Sequence, residues 1–364
     1  MKSLNLLIFF SLTTMFVNAQ SETPFAGLEH LFVQPKSYVV GYTKNPPVID
    51  GDIDEAAWKH AVWTEEFRDI EGTHKALPYY PTKAKMLWDT DYLYIAAELI
   101  DKHVWANLTG HDQIVYHDND FEVFIDPSND GHNYYEIEIN ALNTIFDLFL
   151  TKPYRSGAGL LISWDCKTMK HAVKIKGTLN NPADEDEGWT VELAIPFKDL
   201  ESKVEDKSIW RLGFSRVEWN TEVSNGKYVK KTNPEGKNLP ENNWVWSPTG
   251  RIDMHMPERW AYILFSAQES GSELLPFELP YSEIQKQYLW LVYYRQQEYN
   301  RKNHKYSSSL VELGINSLIK INGKINSLSI ETTPVQFTVT VSDSINPAIR
   351  INNEGLVKNL REKE

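Results

Sequence analysis

The chain has 364 residues, 41% hydrophobic and 12% aromatic, which is enough apolar material for a packed core and too much for a disordered segment. Its 37 Lys and Arg stand against 50 Asp and Glu, and the formal charge of −13 argues against nucleic acid as a partner, because polyphosphate recognition requires a basic surface. The single cysteine, Cys166, excludes an internal disulfide framework and an all-cysteine zinc site. In chain order, residues 1–19 read as a secretory signal: Lys2 is the positive start, 4–10 is an apolar run, and Val17-Asn18-Ala19 is a small-residue cleavage site. Ser11, Thr13 and Thr14 interrupt the run, which is too short for a membrane span, and no second candidate span follows. An exported protein, periplasmic or extracellular and not integral to a membrane, is expected.

Residues 20–37 form an irregular lead. From 38 to 269 the chain predicts short alternating strands separated by turn residues: 38–42, 83–88, 92–99, 120–126, 134–139, 146–150, 172–179, 189–195, 209–219 and 260–265. Helical signals there are brief, at 54–61 and 197–200. This spacing predicts a mainly β fold, a two-sheet antiparallel β-sandwich. From 270 to 364 a smaller helix-plus-strand region follows, with helical spacing over 281–301 and strands at 317–321, 327–330, 336–341 and 348–351.

Alternation assigns faces within each strand. Phe121, Val123 and Ile125 share one face and Asp120, Glu122 and Phe124 the other; Tyr135, Ile137 and Ile139 oppose Glu136, Glu138 and Asn140; Arg216 and Glu218 oppose Val217 and Trp219. Carboxylates, an amide and a guanidinium gathered on one sheet surface suit a polyhydroxylated ligand. A solvated face with cross-strand charge pairs shows the same pattern. Twelve tryptophans exceed what the core needs. Trp58, Trp63, Trp88, Trp189, Trp210 and Trp260 are expected in it, whereas Trp105, Trp164, Trp244 and Trp246 have loop or strand-end character. The pair Trp244 and Trp246 at i and i+2 faces one way, and an indole can stack on the C–H face of a sugar.

Five stretches then resemble, in order, the signatures of family 9 carbohydrate-binding modules: Val48-Ile49-Asp50-Gly51-Asp52-Ile53-Asp54-Glu55-Ala56-Ala57-Trp58, Trp88-Asp89-Thr90-Asp91-Tyr92-Leu93-Tyr94, Asp120-Phe121-Glu122-Val123-Phe124-Ile125-Asp126-Pro127, Tyr135-Glu136-Ile137-Glu138-Ile139-Asn140-Ala141 and Trp189-Thr190-Val191-Glu192-Leu193-Ala194-Ile195-Pro196. The resemblance implies a β-sandwich holding a saccharide between two aromatic rings, with structural calcium nearby and a role in polysaccharide recognition or breakdown. It puts Tyr116 before Glu122 as one ring, where the family has tryptophan, and Asn243 and Trp246 in the second half; Trp105 is an alternative partner. The expected ligand-binding set is Tyr116, Glu122, Glu136, Asn140, Arg216, Glu218, Asn243, Trp246 and Trp105.

For calcium, Asp126, Ser128 and Asp130 stand at positions 1, 3 and 5 of a loop with Gly131 at 6, the front half of a calcium loop, although Ile137 falls where a glutamate would close it. The same residues make an ordinary hairpin turn. His111, His117 and His132 have no compact ligand spacing, so no transition-metal site is expected. A glycosidase would need a carboxylate pair, which Glu122, Glu136, Glu138 or Glu218 could supply, but nothing singles out a catalytic pair, and no nucleophile elbow or P-loop is present. A structural or adhesion protein is the third alternative. The expectation is a non-catalytic saccharide binder.

Overall fold

Period-two alternation gives fifteen strands between Ser37 and Glu269 in the computed structural model, which describes residues 24–360; the expected signal at 1–19 lies outside the described residues. The strands are β1 (Ser37–Tyr42), β2 (Arg68–Asp69), β3 (Thr82–Trp88), β4 (Tyr92–Ile100), β5 (Asp120–Asp126), β6 (Tyr134–Asn140), β7 (Ile145–Leu150), β8 (Leu160–Leu161), β9 (Lys170–Lys176), β10 (Gly188–Pro196), β11 (Ile209–Glu218), β12 (Thr221–Ser224), β13 (Lys227–Lys230), β14 (Asn242–Val245) and β15 (Ala261–Glu269). One helical turn, α1 (Ala56–Lys59), buries Trp58. Residues 197–200, expected as helix, form a turn instead.

Phe121, Ile137, Phe214 and Ile263 of one layer pack against Met86, Ile95, Val191 and Leu193 of the other in a single buried cluster, so the fold is the sandwich expected. Phe197 at the end of β10 crosses to Trp210 of β11, ring centroids 5.7 Å apart, and Tyr135 donates to the Leu200 carbonyl at 3.0 Å. The layers are joined at one seam: the hydrogen-bonded path runs β8-β7-β6-β5-β11-β15-β1-β3-β4-β10-β9, with β14 added to β11 and β2 to β14. At that seam β1 lies parallel to both β15 and β3, the departure from an all-antiparallel sandwich. Parallel neighbours need a long crossover, which segment 43–81 provides. β12 and β13 form a separate hairpin.

The face of β5, β6, β7 and β11 turned away from this core is covered in part by an apolar cluster of Phe124, Tyr134, Phe146, Leu148 and Trp260. Gly213 makes this possible: a Cβ there would meet Trp260 at 3.0 Å and Met254 at 2.5 Å.

Beyond the sandwich come α2 (Tyr281–Asn303) and an antiparallel meander of β16 (Leu318–Ile321), β17 (Lys324–Thr332), β18 (Phe337–Ser342), β19 (Ile349–Asn352) and β20 (Val357–Asn359). Leu289, Val292 and Tyr293 of α2 bury against Phe337, Val339 and Ile351. Leu28 and Leu31 of the lead join this second core, and Phe25 packs on Tyr288 with centroids 5.4 Å apart. The unit is seated on the sandwich by Glu283, which accepts from Tyr262 Oη (3.2 Å) and Asn129 Nδ2 (3.0 Å), and by Tyr294, which donates to Glu258 (2.5 Å). No helix among the described residues is long and apolar enough to cross a membrane.

Candidate functional site

Strand register decides which polar side chains meet. β5 pairs with β6 so that Glu122 stands opposite Glu138, and with β11 so that Glu122 stands opposite Ser215. Glu122, Glu136, Glu138 and Asp120 therefore share the outer face, beside the apolar cluster. Arg216, one residue past Ser215, points to the other face, and so does Glu218. This corrects the expectation that Arg216 and Glu218 join the carboxylates of β5 and β6. Both lie at the rim of the inner core: Arg216 donates to Glu218 (2.8 Å), Thr82 (3.0 Å) and the Ile100 carbonyl (2.8 Å), and its Nη2 is 3.4 Å from Asp101. Burial and Asp101, opposed by Arg216, push the Glu218 carboxyl up to about 8. Beside Glu218, a cavity of about 250 Å³ is lined by Tyr79, Tyr80, His103 and Trp219.

The outer-face carboxyls lack such a cation. Glu136 and Glu138 stand at i and i+2 on one face of β6, and Glu138 accepts from the Tyr116 N–H at 2.8 Å. Asp120 accepts from the Val217 N–H at 3.2 Å, while its other oxygen is buried without a partner. Burial first, and mutual repulsion next, raise Asp120, Glu136 and Glu138 well above the usual carboxylate range; burial brings Glu122 to about 7 against its hydrogen bond from Ser215. His255 sits 3.9 Å from Glu136 but does not compensate it, since burial and Arg155 hold the ring down at about 3 and so neutral. The floor is thus a set of buried carboxyls with raised proton affinity, and a carboxyl in its protonated form both donates and accepts.

Two tyrosines stand at the lip. Tyr116, 36% exposed, lies on the 3-10 turn Val115–His117, and Tyr154, 50% exposed, on the turn Tyr154–Ser156. The Tyr154 hydroxyl is raised to about 12 by burial and by the charges of Glu136 and Glu138. Its ring meets His255 edge-on at 4.3 Å. Asn140 acts from below: its Nδ2 donates to Asp118 (3.0 Å), which accepts the N–H groups of Asn107 and Leu108 (2.8 Å each), and its Oδ1 accepts from Leu142 and Thr144. It fixes the loop that carries Tyr116 and has no hydrogen-bonding capacity left for a ligand. Trp219 supports Tyr116 by donating Nε1 to its carbonyl at 2.8 Å, and Lys230 lies 3.3 Å over the Trp219 ring.

Trp246 is not at this site. It is 1% exposed in the inner core, against Phe214 and Tyr38, with Nε1 bonded to Glu65 at 3.1 Å. The β11–β14 register pairs Trp244 with Arg216, so both Trp244 and Trp246 turn inward, while Asn243, opposite Val217, faces outward. Trp105 is buried under Val217 and Trp219 and offers no free ring face. Trp63, expected in the core, is instead half-buried, with Lys85 Nζ 4.3 Å from its centroid. Tyr154 and Glu138 complete the candidate site. Glu138 was legible in the alternation of β6, whereas Tyr154, on an irregular turn, carried no periodic signal.

The Asp126 loop is closed by its own hydrogen bonds. Asp126 accepts from Ser128 N (3.0 Å), Ser128 Oγ (2.8 Å), Asn129 N (2.9 Å) and Gly131 N (2.8 Å), and Asp130 accepts from His132 N (2.9 Å). The turn uses its own oxygens, with Asn129 and Gly131 in left-handed backbone. Its Asn and Asp chemistry also receives the C-terminal unit, through the Lys286 ammonium on the Asn129 carbonyl and the Val357 N–H on that of Asp130.

The fold is thus a β-sandwich whose outer face carries buried carboxyls beside two tyrosines at its lip. Residues 49–246 match the family described as carbohydrate family 9 binding domain-like, and the chain belongs to that family. It is similar to the exoglucanase XynX of Acetivibrio thermocellus, 34% identical over 103 residues (28% of this chain, 8% of that protein), and to the endo-1,4-beta-xylanase A of Thermoanaerobacterium saccharolyticum, 34% over 90 residues (25% and 7%). The match takes in less than a tenth of either relative's length. Among solved structures, a carbohydrate binding module family 9 from Caldicellulosiruptor kristjanssonii in complex with cellotriose aligns over 67% of this chain and 100% of its own, at 18% identity and TM-score 0.43. A putative carbohydrate-binding protein from Bacteroides uniformis aligns over 64% and 100%, at 16% identity and TM-score 0.47.

Proposed function

We propose that this is an exported, non-catalytic saccharide-binding protein serving polysaccharide recognition or breakdown, and that its ligand rests on the outer face of β5, β6 and β11. The observation that carries this reading is the set of carboxyls Glu122, Glu136 and Glu138 under the half-exposed rings of Tyr116 and Tyr154, in a chain of a carbohydrate-binding family. A carboxyl accepts from sugar hydroxyls and in its protonated form also donates to them, and a tyrosine face covers the apolar side of a pyranose. A glycosidase would need two carboxyls flanking the scissile bond at about 5 Å or more, one of them ionised. In Glu122, Glu136 and Glu138 burial raises every member, and none is held low beside a raised partner, which favours holding over cleaving.

The test is a glycan array with the mature protein, followed by titration of the best ligand into the parent and into Tyr154→Ala. Binding without shortened products after long incubation, weakened in the variant, supports the reading. Cleavage that disappears in Glu138→Gln overturns it in favour of a hydrolase.

A further inference from the structure

Three segments far apart in sequence converge at the rim of the sandwich: the loop before Tyr116, strand β7 and the loop after β8. There His111, Asp112, Asp147 and Asp165 each present one ligating atom, and the four atoms lie within 4.8 Å of one another. His111 Nδ1 is 3.1 Å from Asp112, and His111 Nε2 is 3.5 Å from Asp147 Oδ1.

Asp147 supplies the decisive detail. Its side chain is 2% exposed. Oδ2 accepts the Cys166 N–H at 2.6 Å, whereas Oδ1, the oxygen turned to His111, is buried without a hydrogen-bond partner. A buried carboxylate oxygen left without a donor is costly, so native structures supply it a partner, a water or an ion. His111 and Asp112 are exposed, which leaves an entry path from solvent.

We propose that His111, Asp112, Asp147 and Asp165 form a binding site for a divalent transition-metal ion of the zinc type. Calcium takes oxygen ligands, whereas a set of one imidazole and three carboxylates suits zinc and its neighbours. Three carboxylates around a single imidazole also gather negative charge that a divalent cation balances. The ion ties the loop bearing Tyr116 to β7 and to the loop holding Asp165, so it stiffens one wall of the saccharide site without touching the ligand. The spacing of the histidines concealed this, because a single histidine serves and its partners come from β7 and a later loop.

The experiment uses tag-free mature protein stripped with chelator, titrated calorimetrically with zinc chloride alone, with calcium chloride as the comparison. One zinc per chain is expected, bound at least tenfold tighter than calcium, with a raised melting temperature. His111→Ala and Asp147→Asn should each weaken zinc at least tenfold and remove the thermal shift. Cobalt loaded in place of zinc should show a d–d absorption band that changes in His111→Ala. Should Asp147→Asn fail to fold, the exposed His111 variant carries the test. No zinc uptake, a preference for calcium, or unchanged zinc affinity in His111→Ala overturns the proposal; none of these readouts depends on saccharide binding.

Discussion

Replacing Glu122 by glutamine should stabilise the protein at pH 8 and leave it nearly unchanged at pH 4.5. Burial lifts the Glu122 carboxyl from 4.5 to about 7, with Ser215 opposing and Glu241 adding to the shift. At about 1.4 kcal/mol per pH unit this gap amounts to about 3 kcal/mol, an upper figure because Asp120 and Glu138 share the same pocket. The sign follows from proton binding. The unfolded chain releases this proton near 4.5 and the folded one near 7. Between those values the folded state binds more protons, so stability falls as pH rises through the window. Asp120, Glu136 and Glu138 are raised too and steepen the fall. Glutamine keeps the shape and hydrogen bonding of the side chain but cannot ionise. Urea unfolding of parent and Glu122→Gln at pH 4.5 and pH 8 should show the variant ahead by about 1–3 kcal/mol at the higher pH only. Equal pH dependence in the two proteins would refute the claim that this carboxyl is held protonated.

Arg216→Leu should cost about 3–5 kcal/mol in urea unfolding, because it strands Asp101 and Glu218 at the inner rim without their cation; a loss below about 1 kcal/mol would mean the guanidinium is not their counter-charge. Tyr116→Ala and Tyr154→Ala should each weaken saccharide by about 1–3 kcal/mol at an unchanged melting temperature. Trp246→Ala should do the opposite, lowering stability by about 3–5 kcal/mol as a core truncation. Selective loss of ligand in Trp246→Ala, with the fold intact, would return that residue to the binding site.

Legibility followed the range of the physical cause. Within β5 and β6 the alternation placed Phe121 and Ile137 inward and Glu122, Glu136 and Glu138 outward, since side-chain period is local. Which strand's polar face meets which is a matter of register, set by non-local pairing. That is why alternation alone does not show that Arg216 and Glu218, one residue out of step with Ser215, face the inner layer. Trp244 and Trp246 do share a face, as their spacing required, but the pairing of β14 with β11 turns that face inward. The Asp126 loop carries a calcium-like pattern because turns and calcium loops draw on the same oxygen-bearing residues, and here those oxygens accept from the turn's own N–H groups. Likewise, nothing in the order of the chain puts Asp147 beside His111.

The most direct test of the central claim is a crystal structure of the mature protein with the oligosaccharide selected on the array. The account predicts sugar density against Tyr116 or Tyr154, with a hydroxyl within hydrogen-bond distance of Glu122, Glu136 or Glu138. Density confined to the cavity beside Tyr79, Tyr80 and Glu218, with the outer face empty, would contradict it.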